Sequence, residues 1–156
     1  MPKISILIPA YNAEKTILET VKSVLQQTWT DLEILVGDDG SKDNTINILQ
    51  RTYTDSRLKI YCFPHRGVQV TRNHLLKLAI GDYVAFLDAD DLWTPNKLEK
   101  QYQAIQNHSK AMIAYSWTQY IDEQNQPLSI YCRTSFDGNV YLHLLLSDFI
   151  GSGSNP

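Results

Sequence analysis

The sequence predicts an α/β fold, a mostly parallel sheet flanked by helices on both faces. Three observations carry that expectation. Short apolar, β-branched runs alternate with helical stretches in the order β-α-β-α-β-α-β, the order that builds parallel sheets through crossover helices. Each run is bounded by Gly, Pro, Asn or Asp, as buried strands are. Polar or acidic loops follow the first, second and fourth strands, and ligands of such sheets sit outside the carboxyl ends of the strands.

Each element has its own warrant. "KISILIP" (3–9) is a β-branched run closed by Pro9 and Asn12, hence a strand. In "AEKTILETVKSVLQQT" (13–28), Ile17, Val21, Val24 and Leu25 fall at helical spacing. "DLEILVG" (31–37) is the second strand. "SKDNTINILQRTYT" (41–54) has Ser41 as its expected N-cap and Ile46, Leu49 and Tyr53 on one face. "RLKIYCF" (57–63) is the third strand, and "VQVTRNHLLKLAI" (68–80) is a helix expected to stop at Gly81. "DYVAFL" (82–87) is the fourth strand. "TPNKLEKQYQAIQNH" (94–108) is a helix with Thr94 as N-cap and Pro95 at the first helical position. "AMIAYSWTQYI" (111–121) and "SIYCRT" (129–134) read as strands around a turn at 122–128, and "DGNVYLHLLLSDF" (137–149) as a helix.

A chain of 156 residues suits one domain, so 1–156 is expected to be a single unit. Hydrophobic residues make up 43% and charged residues 20%, a globular composition. The net charge of −3 argues against a nucleic-acid surface. Cys62 and Cys132 form no CxxC pair and are expected to be reduced, mostly buried thiols. No run approaches the ~18 apolar residues of a membrane span. The expected compartment is the cytoplasm, or the inner membrane face for a peripheral full-length protein.

The chemistry concentrates in "YVAFLDADDLWTP" (83–95). A buried-looking strand runs straight into Asp88, Asp90 and Asp91. Two unit charges about 5 Å apart repel by roughly 3 kcal/mol at an effective dielectric near 20. Helix capping needs at most one of these aspartates, since Thr94 and Pro95 already start the next helix. A divalent cation carrying a diphosphate fits better. Mg²⁺ takes oxygen ligands, often one or two carboxylates completed by phosphate and water, and Asp88 and Asp90 share a face of an extended chain.

"GDDGSKDNT" (37–45) is a strand-to-helix turn with Gly40 at an expected left-handed position. Its two adjacent aspartates exceed what a turn needs, and one could accept hydrogen bonds from a ribose or a base edge. Neither GxGxxG nor GxxxxGK[ST] is present. "HRGVQVTRNH" (65–74) gathers His65, Arg66, Arg72 and His74. These are either solvated helix charges or a place where the Arg72 fork meets phosphate. Tyr11 in "PAYN" either packs or stacks on a nucleobase. The aromatic stretch "AYSWTQYI" (114–121) reads as sheet surface, with a part in sugar binding as the alternative.

"SILIPAYNAEKTILETVKSVLQQT", "EILVGDDGSKDNT" and "GVQVTRNHLLKLAIGDYVAFLDADDLWTPNKLEKQ" together resemble the family-2 glycosyltransferases of bacteria. The resemblance runs in order from about residue 3 to 108, and more loosely to 154. It implies a GT-A fold, a nucleoside-diphosphate-sugar donor (UDP before other nucleotides), Mn²⁺ or Mg²⁺, a saccharide or lipid-linked acceptor, and inverting transfer in cell-surface polysaccharide or glycolipid synthesis. It implies nucleotide-sugar contacts at Ala10, Tyr11, Asp39, Arg72, Asp88, Ala89 and Asp90. Tyr11 stands on the base side, Asp39 is the carboxylate bonding the base, and Arg72 lines the nucleotide pocket. Asp88-Ala89-Asp90 is the DxD motif, with Asp88 towards the ribose and Asp90 towards the metal; Asp91 is a common neighbour of it. Gly37 departs from the family pattern, which has an apolar residue there. Leu75 stands where the pattern has glycine.

In the resembling enzymes the catalytic base follows later, and no Asp or Glu follows Asp148. The base is therefore expected beyond Pro156, and these residues are expected to bind nucleotide and metal, to transfer sugar poorly and to self-associate. The alternative function is a module that holds a nucleotide-sugar without turnover. A phosphoaspartyl enzyme does not fit, because its aspartates follow the first strand and a threonine is wanted where Leu92 stands.

Overall fold

The computed structural model describes residues 1–108, 111–132 and 136–146. Elements follow in the order β1 Ile4–Ala10, α1 Ile17–Leu25, β2 Leu32–Asp38, α2 Thr45–Thr52, β3 Leu58–Cys62, α3 Val68–Leu78, β4 Tyr83–Phe86, α4 Lys97–Asn107, β5 Thr118–Ile121, β6 Pro127–Cys132 and α5 Tyr141–Leu146. They divide into two compact units, Met1–Glu99 and Lys100–Pro156.

The first unit is a parallel sheet of order β3-β2-β1-β4. β1 pairs with β2 from Ile4↔Leu32 to Ala10↔Asp38 and with β4 from Ile4↔Tyr83 to Leu7↔Phe86. The two central strands are buried along their whole length, while β3 and β4 at the edges are shorter and partly exposed. That difference is written in composition. "ISILIPA" is almost unbroken apolar chain, which a strand covered on both faces requires. Right-handed crossovers put α1 and α2 on one face and α3 on the other. Accordingly α1 touches α2, and α3 lies across β1 and β2. Under α3, Leu7, Leu35 and Leu75 form a wholly buried cluster ringed by Tyr61, Phe63, Ala79 and Phe86. Each such leucine contributes about 2–3 kcal/mol by leaving water.

Gly37 and Leu75 meet in this layer. A Cβ on Gly37 would lie 2.8 Å from Thr71 Cγ2 and 3.0 Å from both Leu75 methyls. The side chain missing from the strand makes room for the one added to the helix, so the two departures from the family pattern are one packing exchange.

Several boundaries differ from the sequence reading. α1 begins at Ile17 rather than 13, after a turn closed by the N–H groups of Thr16 and Ile17 on Ala13 O, while the Ala13 and Glu14 N–H groups bond Thr45 Oγ1 and Asp43 Oδ2. Ser41 does not cap α2. Its Oγ accepts from Asn12 N–H and its own N–H bonds Asp38 Oδ2, while Asp43 Oδ1 takes the Thr45 N–H at the helix start. Gly40 is left-handed as expected, at φ 78°. Gly81 is glycine for a different reason than a helix stop. α3 ends at Leu78 with an extended Ala79, and a Cβ on Gly81 would lie 2.7 Å from Ser5 N. α4 starts at Lys97, after a turn closed by Lys97 N–H to Thr94 O. Cys62 is exposed rather than buried.

In the second unit β5 and β6 form an antiparallel hairpin. Asp122 Oδ1 accepts from the N–H groups of Gln124 and Gln126, and Asn125 is left-handed at φ 59°. The expected strand at 111–121 shrinks to Thr118–Ile121. The expected strand end at 133–134 and helix end at 147–149 lie outside the described residues.

Candidate functional site

Chain direction across the sheet reverses between β1 and β4, since β2 and β3 step one way from β1 and β4 lies on its other side. At such a switch point the loops after two neighbouring strands part and leave a crevice. A cleft of about 710 Å³ opens there, lined by Pro9, Tyr11, Asn12, Ala13, Glu14, Lys15, Thr16, Asp43, Val68, Arg72, Asp88, Ala89 and Asp90.

One wall is the loop after β1, fastened to the loop after β2. Besides the Ala13, Glu14 and Ser41 bonds given above, Lys42 N–H donates to Asn12 Oδ1 and Asn44 N–H to Glu14 Oε2. Asn12 is left-handed at φ 51°, a conformation asparagine tolerates. Burial pushes the Asp43 carboxyl up, but hydrogen bonds from Thr45 and the Glu14 N–H outweigh it and leave the group below its ordinary range.

The other wall comes from α3 and the loop after β4. Arg72 Nη2 pairs with Asp88 Oδ1, and its guanidinium lies 5.9 Å from the Phe86 ring centroid. Arg72 Nε is buried with no partner among the described residues. The turn that follows is closed by Asp91 N–H to Asp88 O, and Asp90 is exposed at its tip. Further along the chain Lys97 is buried, which pulls its ammonium down to about 7. The face of Trp93, 4.8 Å from Nζ, works the other way by favouring the cation.

Of the residues singled out in the sequence, Tyr11, Arg72, Asp88, Ala89 and Asp90 line this one cleft. Ala10 and Asp39 do not. Ala10 is 2% exposed and its carbonyl accepts the Asp39 N–H. Asp39 is 3% exposed. Its Oδ1 accepts from Arg66 N–H at 2.9 Å and Thr71 Oγ1 at 3.1 Å. Its Oδ2 accepts from Gly67 N–H at 2.9 Å and sits 2.8 Å from His65 Nδ1. Burial pushes this carboxyl up, but those donors hold it below the ordinary range. The His65 ring stacks on Tyr11, with centroids 4.4 Å apart.

Glu14, Lys15, Thr16 and Asp43 line the cleft without having been singled out. Their signal was positional, since they follow Tyr11 and Asp39 on the rim where ligands were expected. Among the described residues no group of three or more His, Cys, Asp or Glu side chains forms a metal cage. Asp88 and Asp90 nevertheless bring hard oxygen donors to one cleft. That donor set suits Mg²⁺ or Mn²⁺ completed by phosphate oxygens and water.

Comparison with known proteins agrees with this architecture. Residues 5–152 match the model of glycosyl transferase family 2. UDP-Glc:alpha-D-GlcNAc-diphosphoundecaprenol beta-1,3-glucosyltransferase WfgD of Escherichia coli is 47% identical over 100 residues, 63% of this chain and 39% of that protein. The crystal structure of S. aureus TarS 1-349 in complex with UDP-GlcNAc superposes with a TM-score of 0.64 at 30% identity, over 74% of this chain and 33% of that one. The mannosyltransferase PcManGT from Pyrobaculum calidifontis, in complex with GDP-Man and Mn²⁺, superposes at 0.63 and 28% identity, over 67% of this chain and 32% of that one. The chain thus spans between about a third and two fifths of the length of these proteins. The fold is the GT-A type that the resemblance implied.

Proposed function

This chain belongs to glycosyl transferase family 2, and on that premise we propose that residues 1–156 form the nucleotide-sugar-binding domain of an inverting glycosyltransferase of cell-surface polysaccharide or glycolipid synthesis. The observation that carries the reading is the switch-point cleft, which brings Tyr11, Arg72, Asp88 and Asp90 together from three separate loops and helices. UDP is favoured as the nucleotide, because the E. coli relative is named for UDP-Glc and TarS was solved with UDP-GlcNAc. The acceptor is a saccharide or lipid-linked saccharide. A peripheral place at the inner membrane face suits a lipid-linked acceptor, and no described helix is long and apolar enough to cross a membrane.

Tyr11 walls the base side. Asp39 reaches a base by exchanging one of its four donors, and His65 is the one to yield, since its side chain is 57% exposed. Asp90 holds the metal and Asp88 faces the ribose. A divalent ion there supplies positive charge to the diphosphate. In transfer, an acceptor hydroxyl attacks the anomeric carbon, its proton passes to a general base, and the nucleoside diphosphate leaves. Arg72 turns its planar fork from Asp88 to the diphosphate and stabilises the charge that develops on it. The base is not assigned to any residue of the cleft.

Calorimetry with UDP, GDP, CDP and dTDP in Mn²⁺ tests this. One nucleotide is expected to bind, and Asp90→Ala to weaken it about tenfold or more in Mn²⁺ while leaving metal-free binding unchanged. Equal affinity of variant and wild type in Mn²⁺ would sink the reading.

A further inference from the structure

A helix packed on a sheet normally buries apolar side chains on its inner side. α1 does so with Ile17, Val21 and Val24, all 0% exposed. Beside them runs a second stripe that is polar: Thr16, Thr20, Ser23 and Gln27. Steps of four, three and four residues place these side chains along one line of the helix and its first turn beyond. Thr20 is 0% and Gln27 6% exposed. Buried polar groups are costly unless bonded, so this stripe needs partners.

Some partners are carbonyls of the same helix, since Thr20 Oγ1 lies 3.4 Å from Thr16 O, Ser23 Oγ donates to Thr20 O at 2.8 Å and Gln27 Nε2 to Ser23 O at 3.1 Å. The rest, shorter for Thr20, lie on the backbone after β4. Thr16 Oγ1 donates to Ala89 O at 2.8 Å, and Thr20 Oγ1 donates to the same oxygen at 2.9 Å. Trp93 N–H donates to Ser23 Oγ at 3.2 Å. Gln27 Nε2 donates to Thr94 O at 2.8 Å, and Gln27 Oε1 accepts from Leu98 N–H at 3.2 Å. The stripe therefore reads the acidic loop backbone from Ala89 to Leu98. Ala89 receives two hydroxyls on one carbonyl, which uses both of its lone pairs. It is also the residue between Asp88 and Asp90, and its carbonyl belongs to the peptide plane that leads into Asp90. Turning that plane would swing both carboxylates relative to the cleft.

We propose that Thr20, together with Thr16, is a positioning residue of the aspartate pair. By clamping the Ala89 carbonyl against α1, it fixes the direction in which Asp88 and Asp90 face a metal-bound nucleoside diphosphate. Thr20 is buried and is not among the cleft-lining residues, so it acts through the loop and not on the ligand. Ser23 and Gln27 anchor the far end of the same loop, so a turn at Ala89 is not taken up by a shift of the whole segment. This inference rests on the proposed role of Asp88 and Asp90.

The test compares wild type, Thr20→Val, Thr20→Ser and Asp90→Ala by calorimetry with UDP, GDP, CDP and dTDP, each in Mn²⁺ and in EDTA. Valine keeps the shape and removes the hydroxyl, and serine keeps the hydroxyl. Thr20→Val is expected to weaken the nucleotide that binds by about tenfold in Mn²⁺ and to leave the EDTA affinity within twofold. Thr20→Ser is expected to restore the Mn²⁺ affinity. A purely structural threonine would lower the melting temperature and leave the Mn²⁺-to-EDTA ratio unchanged, and that result overturns the inference. So does failure of Thr20→Ser to restore binding while Asp90→Ala still abolishes the Mn²⁺ effect. If Asp90→Ala changes nothing, the reading of the aspartates falls and this inference falls with it. Should Thr20→Val not fold, Thr20→Ala removes the same hydroxyl with no β-branch to accommodate, and the same ratio decides.

Discussion

Glu33 and Asp39 stand at opposite ends of β2, each only 3% exposed, and each carboxyl lies below its ordinary range although burial pushes it up. At the closed end Glu33 takes Ser5 Oγ and the Ile80 N–H on Oε1 and Lys59 Nζ on Oε2, while Gly81 N–H finishes Ser5 Oγ. At the open end Asp39 takes the donors of the 65–67 loop and Thr71. Between them the two carboxylates hold the two ends of α3, and Arg72 stands at the Asp39 end, next to Thr71. The ends of the sheet then diverge. Around Glu33 the polar groups close on each other. Around Asp39, Asp38 Oδ1 and Arg72 Nε are buried with no partner among the described residues, and Asp90 faces the cleft. Unspent hydrogen-bonding capacity sets the rim of the proposed nucleotide site apart, since buried polar groups in native proteins are otherwise almost always paired.

The contrast is broken most severely at the closed end. Glu33→Ala leaves the Ile80 N–H and Ser5 without their acceptor and is expected to destabilise the fold by about 3 kcal/mol. Lys59 adds little to that loss, because it is 44% exposed and water replaces its partner. Nucleotide affinity measured well below the melting point should stay within twofold. The sign of its pH dependence is fixed by the lowered carboxyl. The stability Glu33 supplies is fully present above the unfolded value near 4.3 and is lost as pH falls through the folded one. The gap between wild type and Glu33→Ala in urea titrations should therefore narrow below about pH 4.

Asp39→Asn keeps the shape but turns an NH₂ group towards backbone N–H donors. About 2 kcal/mol should be lost, and, unlike Glu33→Ala, nucleotide affinity should fall too, because the 65–67 loop and Arg72 follow α3. Calorimetry showing full affinity in this variant would erase the distinction between the two ends. Gly37→Ala puts a methyl against Thr71 and Leu75 and should cost about 1–2 kcal/mol. In a Leu75→Ala background the same change should cost less, since only the Thr71 Cγ2 contact remains, a coupling that a double-mutant cycle measures. The smallest effect belongs to His65→Ala. This half-exposed ring leaves Asp39 with three donors, so chemical denaturation should register less than about 1 kcal/mol.

Much of this was legible in the chain. The runs at 3–9, 31–37, 57–63 and 82–87 are local and near-continuous in apolar residues, so strand existence and order follow without tertiary information. Asp88 and Asp90 stood out in the sequence by their charge, and the structure sets the Arg72 guanidinium on Asp88. The stretch at 111–121 was not legible, because an apolar-aromatic run suits a strand only when a partner pairs with it, and among the described residues only Thr118–Ile121 is paired. The caps failed for a related reason. Ser41 and Asp43 both suit a helix start, and the choice went to Asp43 once the Asn12 N–H had claimed Ser41 Oγ.

The sequence by itself determined the class of fold and the rim on which the polar and acidic loops gather, because periodicity, turn chemistry and charge repulsion act over a few neighbouring residues. Only the tertiary structure decided that Leu75 occupies the space Gly37 leaves, that Asp39 closes on its own loop while Arg72 reaches Asp88, and that two threonines of α1 hold the carbonyl between the cleft aspartates. Each of these joins positions dozens of residues apart. No local rule ranks one distant partner over another until the sheet order β3-β2-β1-β4 has brought them within hydrogen-bonding distance.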